Sequence, residues 1–168
     1  MLQSLSISNY ALISSLSVEF DNGFSVITGE TGAGKSILLG ALGFVLGNRA
    51  DSNILFDDTK KCVVEASFIL KDNERLQSFF EENDIDFEDE CIIRRELNPQ
   101  KKSRSFVNDT PVSLQVLKEL GSHLVDIHSQ HDSLLLCNPD FQLSLLDDAA
   151  NNQELLSEYK KSYKEYTS

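Results

Sequence analysis

The chain has 168 residues, 40% of them hydrophobic, and a formal net charge of −12. Its length supports one buried core, and no apolar run approaches the ~20 residues needed to span a bilayer. Most of the negative excess lies between Asp72 and Glu90, where nine carboxylates accompany one basic residue, Arg75; this solvated stretch repels a phosphate backbone, so any nucleic-acid contact must use another surface.

The amino terminus lacks a basic n-region, and Ser and Asn interrupt its apolar residues, so neither a signal peptide nor a membrane partner is expected. Cys62, Cys91 and Cys137 are odd in number and far apart. They fit neither a disulfide framework nor a zinc knuckle and read as reduced thiols of a cytoplasmic protein.

Leu5 and Ile7, then Leu16, Val18 and Phe20, alternate as half-buried strands do. Asp21-Asn22-Gly23 is a turn signal. Phe24-Ser25-Val26-Ile27-Thr28 predicts a short buried strand. Ile37 to Leu46 predicts a helix that is apolar nearly all round and therefore buried.

Between them stands Gly29-Glu30-Thr31-Gly32-Ala33-Gly34-Lys35-Ser36, which fits the phosphate-loop pattern G-x-x-x-x-G-K-[ST]. The glycines let successive backbone N–H groups turn toward one point and keep Cβ atoms out of the way of an anion. The helix N-terminus adds partial positive charge. Lys35 is placed to reach the β- and γ-phosphates of ATP, and the Ser36 hydroxyl to ligate Mg²⁺. A glycine-rich turn with an exposed lysine is the bland alternative; the strand and helix flanks weigh against it.

Val63 to Leu70 predicts a strand with Val64, Ala66, Phe68 and Leu70 on one face, and Glu74 to Asn83 a helix. Cys91 to Leu97 and Arg104 to Asn108 read as a hairpin around Asn98-Pro99-Gln100-Lys101-Lys102. Ser113 is an N-cap candidate for a helix over Leu114 to Leu120, with Gly121 as its stop. Leu124 to Ile127 reads as a short strand, and Asp140 to Asp147 as a helix. In the last segment Leu156, Tyr159, Tyr163 and Tyr166 recur at spacings of three, four and three. That is either an opening coiled-coil seam or one face of a terminal amphipathic helix.

The catalytic equipment is incomplete. Asp126, after only two apolar residues, makes a poor second Mg²⁺ carboxylate, and the absence of N-K-x-D argues against a GTPase. The histidines of Asp126, His128, His131 and Asp132 are three apart, not the four that would put two ligands on one helix face. Gln130 is the residue there best suited to touch Mg²⁺ or water. Arg104 suits either an added phosphate contact or an exposed strand position.

Asn9-Tyr10-Ala11-Leu12-Ile13, the run Val26 to Ser36, Gly47-Asn48-Arg49-Ala50-Asp51, Ser103 to Asn108 and Val125 to His131 together resemble the head of the RecN family of bacterial DNA-repair ATPases, on the SMC-like branch of ABC-type ATPases. The resemblance covers nearly all of residues 1–150. Asn48 and Ser129, the latter beside Gln130, stand where that family usually has Gly. The resemblance implies an α/β P-loop NTPase, an ABC-type half-head with an antiparallel β subdomain, followed at 151–168 by the start of a coiled coil. It also implies that Walker B, the signature motif and the switch histidine belong to a separate C-terminal half of the head. ATP would then be sandwiched between two heads of a homodimer that acts on DNA in the nucleoid. Gln130 is implied as the Q-loop ligand and Arg104 as the loop arginine that approaches the nucleotide. Two other readings stay open: a self-contained nucleotide kinase with Asp126 on Mg²⁺ and Arg94 and Arg104 on phosphates, or a non-catalytic nucleotide-gated module.

Overall fold

The computed structural model describes residues 1–29, 34–49, 54–70, 74–125, 127, 142–143, 146–147, 149–150 and 152–167. It forms two compact units, Met1–Asp126 and Ile127–Ser168.

The first unit is built on an antiparallel six-stranded sheet in the order β2-β1-β3-β4-β5-β6. Its strands are β1 (Leu2–Tyr10), β2 (Ile13–Glu19), β3 (Cys62–Ile69), β4 (Glu90–Leu97), β5 (Ser103–Val107) and β6 (Thr110–Val112). The register explains the period of two. Leu5 pairs with Ala66, Ile7 with Val64, and Ala66 with Ile93, all on one buried face. Ser6 and Ser8 pair with Ser17 and Ser15 on the solvated face. One wet face and one dry face is the usual condition of an antiparallel sheet.

Helices α1 (Lys35–Val45), α2 (Glu74–Glu82) and α3 (Leu114–Leu124) complete this unit. The sheet and α1 meet through β1, β3 and β4, while α3 packs on β5. Phe79 and Phe80 are buried, and the Phe79 ring lies 5.8 Å from that of His123, joining α2 to α3. Most of the acidic stretch, Glu81, Glu82, Asp84, Asp86 and Glu88 to Glu90, is exposed, as its composition suggested.

Three expectations need correction. Phe24 to Thr28 forms no strand: Phe24 is 93% exposed and Val26 65% exposed. A strand requires a hydrogen-bonding neighbour, and among the described residues none pairs with this segment. Gly121 does not stop α3, which runs on to Leu124. A Cβ at Gly121 would stand 2.8 Å from the Leu46 carbonyl oxygen, so glycine permits close helix packing there. Leu124 accordingly ends that helix, and no strand forms at Leu124 to Ile127 among the described residues.

The second unit contains α4 (Gln153–Thr167), in which the Tyr159 and Tyr163 rings stack at 6.0 Å.

Cys62 and Cys91 are free and buried in the first unit's core. Burial raises Cys62 from the ordinary 9.0 to about 11 and Cys91 to about 12. The unfolded chain therefore loses these protons first, so their contribution to stability is intact below pH 9 and is lost as pH rises through about 11 to 12. Native alkylation at pH 8, read by peptide mass spectrometry, should leave both thiols unmodified, whereas urea-unfolded chain should be labelled at both. Equal labelling rates in the two states would contradict their burial.

Candidate nucleotide-binding site

The site begins at Gly34, which takes φ 94°, a left-handed conformation open to glycine and strained for other residues. Its carbonyl accepts from Ile37 N and Leu38 N, each at 3.0 Å, and so starts α1. An ideal Cβ on Gly34 would meet nothing within 4 Å, leaving open space before the helix. The N-terminus of α1 has no side-chain cap and no acidic residue in its first turn. A helix N-terminus with no acidic residue in its first turn suits an anion.

Lys35 Nζ donates to the carbonyl of Gly29, closing across the segment between them. Ser36 is exposed in the first turn of the helix. Gly29, Gly34, Lys35 and Ser36 are thus gathered at one helix end. Glu30, Thr31, Gly32 and Ala33 lie outside the described residues, as do Gln130, Asp126, His128, His131 and Asp132. The residues that are described fit a polyphosphate: a helix N-terminus, a lysine and a hydroxyl stand together at one end of α1.

Burial along α1 is uneven. Its buried residues are Ala41, Gly43, Phe44 and Val45, while Leu39 is 52% exposed. The expectation of a helix buried along its whole length therefore holds only for its C-terminal half. That end closes in a Schellman motif: Gly47, at φ 101°, donates to Phe44 O at 3.2 Å and Asn48 N donates to Gly43 O at 2.9 Å. A Cβ on Gly47 would come within 2.9 Å of Lys118 Cα, so α1 and α3 touch through backbone there.

Sequence reasoning missed Arg95. It is 2% exposed, and its Nη1 donates to Phe44 O and Asn48 O, both at 2.6 Å. Its Nε donates to Ser103 Oγ at 3.1 Å, and its guanidinium lies 4.3 Å from the Phe44 ring centroid. Burial lowers its pKa, while the thiol of Cys62 and the phenol of Tyr10 act in the opposite direction. The available signal was parity: Arg95 falls at every second position with Cys91, Ile93 and Leu97, on the same buried face. Asn9 was likewise noticed only through the family resemblance. Buried at φ 57°, it donates to Asp57 O and Lys60 O and accepts from Asp57 N at 2.7 Å, pinning the loop that follows α1.

Arg94 and Arg104 lie on the other face of the sheet. Arg94 Nη2 bonds Asp109 Oδ1 at 2.9 Å and its guanidinium covers the Phe106 ring. Arg104 pairs in register with Glu96 and borders a cleft of about 270 Å³ with Lys61, Asn98 and Lys102. Both residues alternate with the buried positions of their strands, which lie on the side of the sheet that packs on α1 and α3, so neither points toward the helix that carries Lys35. The kinase reading loses its phosphate arginines.

The family model described as "AAA domain" matches residues 4–168. The chain belongs to the AAA domain family. Within it, this AAA domain is RecN-like. It is 40% identical over 166 residues to the DNA repair protein RecN of Vibrio cholerae, covering 99% of this chain and 30% of that protein. It is 41% identical over 169 residues to RecN of Halalkalibacterium halodurans, again covering 99% and 30%. The chain therefore spans about 30% of the length of these relatives. Among solved structures, the Smc head domain with an extended coiled coil from Pyrococcus furiosus aligns with a TM-score of 0.70 at 23% identity, covering 98% of this chain and 45% of that one. A structure described under ATP-driven dimerization and DNA-stimulated activation of SMC ATPases aligns with a TM-score of 0.62 at 23% identity, covering 88% and 98%. These likenesses establish the fold: an α/β P-loop NTPase head of the SMC type with an antiparallel sheet.

Proposed function

We propose that this chain is the ATP-binding N-terminal part of a RecN-like ATPase acting in DNA double-strand-break repair and recombination. The observation that carries it is the open, uncapped start of α1 with Gly34, Lys35 and Ser36 at one point, in a chain of RecN-like sequence. Bound Mg²⁺-ATP would supply the phosphoanhydride and a screening metal. Lys35 would exchange the Gly29 carbonyl for phosphate oxygens, Ser36 would ligate the metal, and the backbone of Gly29 to Gly34 would wrap the phosphates. Gln130 is assigned to orient metal and water. Arg104, which faces away from α1, is not assigned a phosphate of this chain's own nucleotide.

The exposed Phe24, Val26 and Ile27 support the reading that another part of the head pairs with this segment. The exposed Tyr159, Tyr163 and Tyr166 support α4 as the opening of a coiled coil, with residues 1–150 forming the half-head. Hydrolysis then belongs to the assembled head: both halves joined, two heads around nucleotide, DNA met through surfaces mostly outside this chain. The setting is the cytoplasm, at the nucleoid; no helix among the described residues is long and apolar enough to cross a membrane.

The experiment is reconstitution. The chain alone should release no phosphate from ATP above background, and adding the C-terminal half of the head should start turnover. Val26→Asp should block that rescue while leaving the melting temperature of the chain within about 2 °C of wild type, since Val26 is mostly exposed. Steady turnover by the chain alone would defeat this reading and favour a self-contained enzyme.

A further inference from the structure

We propose that Arg95 is a positioning residue for the phosphate loop: by holding the C-terminal end of α1, it sets where Gly34, Lys35 and Ser36 stand at the other end. This rests on the nucleotide reading above.

The helix is held from one end. Its buried residues all lie from Ala41 onward, and none from Lys35 to Gly40 is buried. Tyr10 supplies a side contact, its hydroxyl standing 3.0 Å from where a Cβ on Gly40 would lie. An 11-residue helix is about 16 Å long at 1.5 Å per residue. A small tilt at the anchored end therefore moves the phosphate-binding end by more than it moves the anchor.

Arg95 is the polar part of that anchor. It reaches from β4 to two carbonyls at the helix end through Nη1, while Ser103 of β5 accepts from its Nε. A cation at a helix C-terminus is favourable. Among the described residues the ion pairs within 4 Å include none to Arg95, so its charge is met by carbonyl and hydroxyl oxygens and by the Phe44 ring. Carboxylate pairing does not explain a buried arginine here; bridging three acceptors across two elements does. Only the planar fork of arginine spans these acceptors together, and a lysine ammonium cannot hold the same geometry.

The test uses the 168-residue chain with Arg95→Lys, Ser103→Ala and Lys35→Ala. Two quantities are read: native amide exchange at Ile37 and Leu38, and Mg²⁺-ATP affinity by calorimetry. Arg95→Lys should speed exchange at Ile37 and Leu38 and weaken Mg²⁺-ATP roughly tenfold, because small misplacements at a binding site cost that much or more. Ser103→Ala removes only the Nε acceptor and should shift both readouts in the same direction, by less. A contact that is merely structural would loosen Gly47 and Asn48 alone. Unchanged exchange at Ile37 and Leu38, with unchanged affinity, would overturn the proposal. Should Arg95→Lys not fold, Ser103→Ala decides by the same criterion. Wild-type affinity that Lys35→Ala does not alter would instead defeat the nucleotide reading, leaving the exchange data to judge Arg95.

Discussion

Phe44→Ala should destabilise the Met1–Asp126 unit by about 3–5 kcal/mol, the usual loss for a buried aromatic cut back to alanine. The ring is 2% exposed and packs 5.9 Å from that of Tyr10. It also carries the Arg95 guanidinium on its face at 4.3 Å. Removing it leaves a cavity between α1 and the sheet and strips that cation of its π partner. Small domains are stable by only about 5–15 kcal/mol, so the variant should sit near the edge of folding at 25 °C. Leu39→Ala on the same helix, at a position 52% exposed, should cost no more than about 1 kcal/mol. Urea titrations followed by circular dichroism measure both. Equal costs would mean that α1 is not anchored through its C-terminal half.

What the sequence made legible was local. The antiparallel strands were readable because each has one wet face, so Ser6 and Ser8 alternate with Leu5 and Ile7. The phosphate-loop pattern was readable because glycine at Gly34 and the Lys35-Ser36 pair are demanded by chemistry within eight residues. Ser113 was found as an N-cap, and it does accept from Val116 N at 3.3 Å.

What escaped depends on distant contacts. Gly121 looked like a helix stop because glycine commonly stands there. Its actual role, letting α3 approach Leu46, involves residues more than seventy positions apart and has no local mark. β6 was overlooked although Asn108 and Asp109 mark it. Both take positive φ, 46° and 61°, and turn Val107 directly onto Thr110 in a two-residue hairpin. Phe24 to Thr28 reads as a strand by composition, but pairing is not a property of composition; no described neighbour is there to meet it. Arg95 sits at a parity that predicted burial, and the habit of placing arginines at the surface concealed it.

The largest functional effect should come from Lys35→Ala. Lys35 is half-buried at the first position of α1, so its loss removes charge from the phosphate site and little from the core. At a ligand concentration 100 times its dissociation constant, Mg²⁺-ATP should stabilise the wild-type chain by about 2.7 kcal/mol. The variant, mixed with the same nucleotide, should show no such gain. Gly34→Ala should lose most of the gain as well, because alanine at φ 94° is strained and its Cβ would enter the space before the helix.

The most direct measurement of the account is therefore the thermal unfolding of wild-type chain and Lys35→Ala with and without Mg²⁺-ATP. A nucleotide-dependent rise in the wild type that vanishes in Lys35→Ala is the predicted result. The same rise in both proteins, or no rise in a wild-type sample shown to be folded, would contradict the assignment of Gly29 to Ser36 as the site that holds ATP.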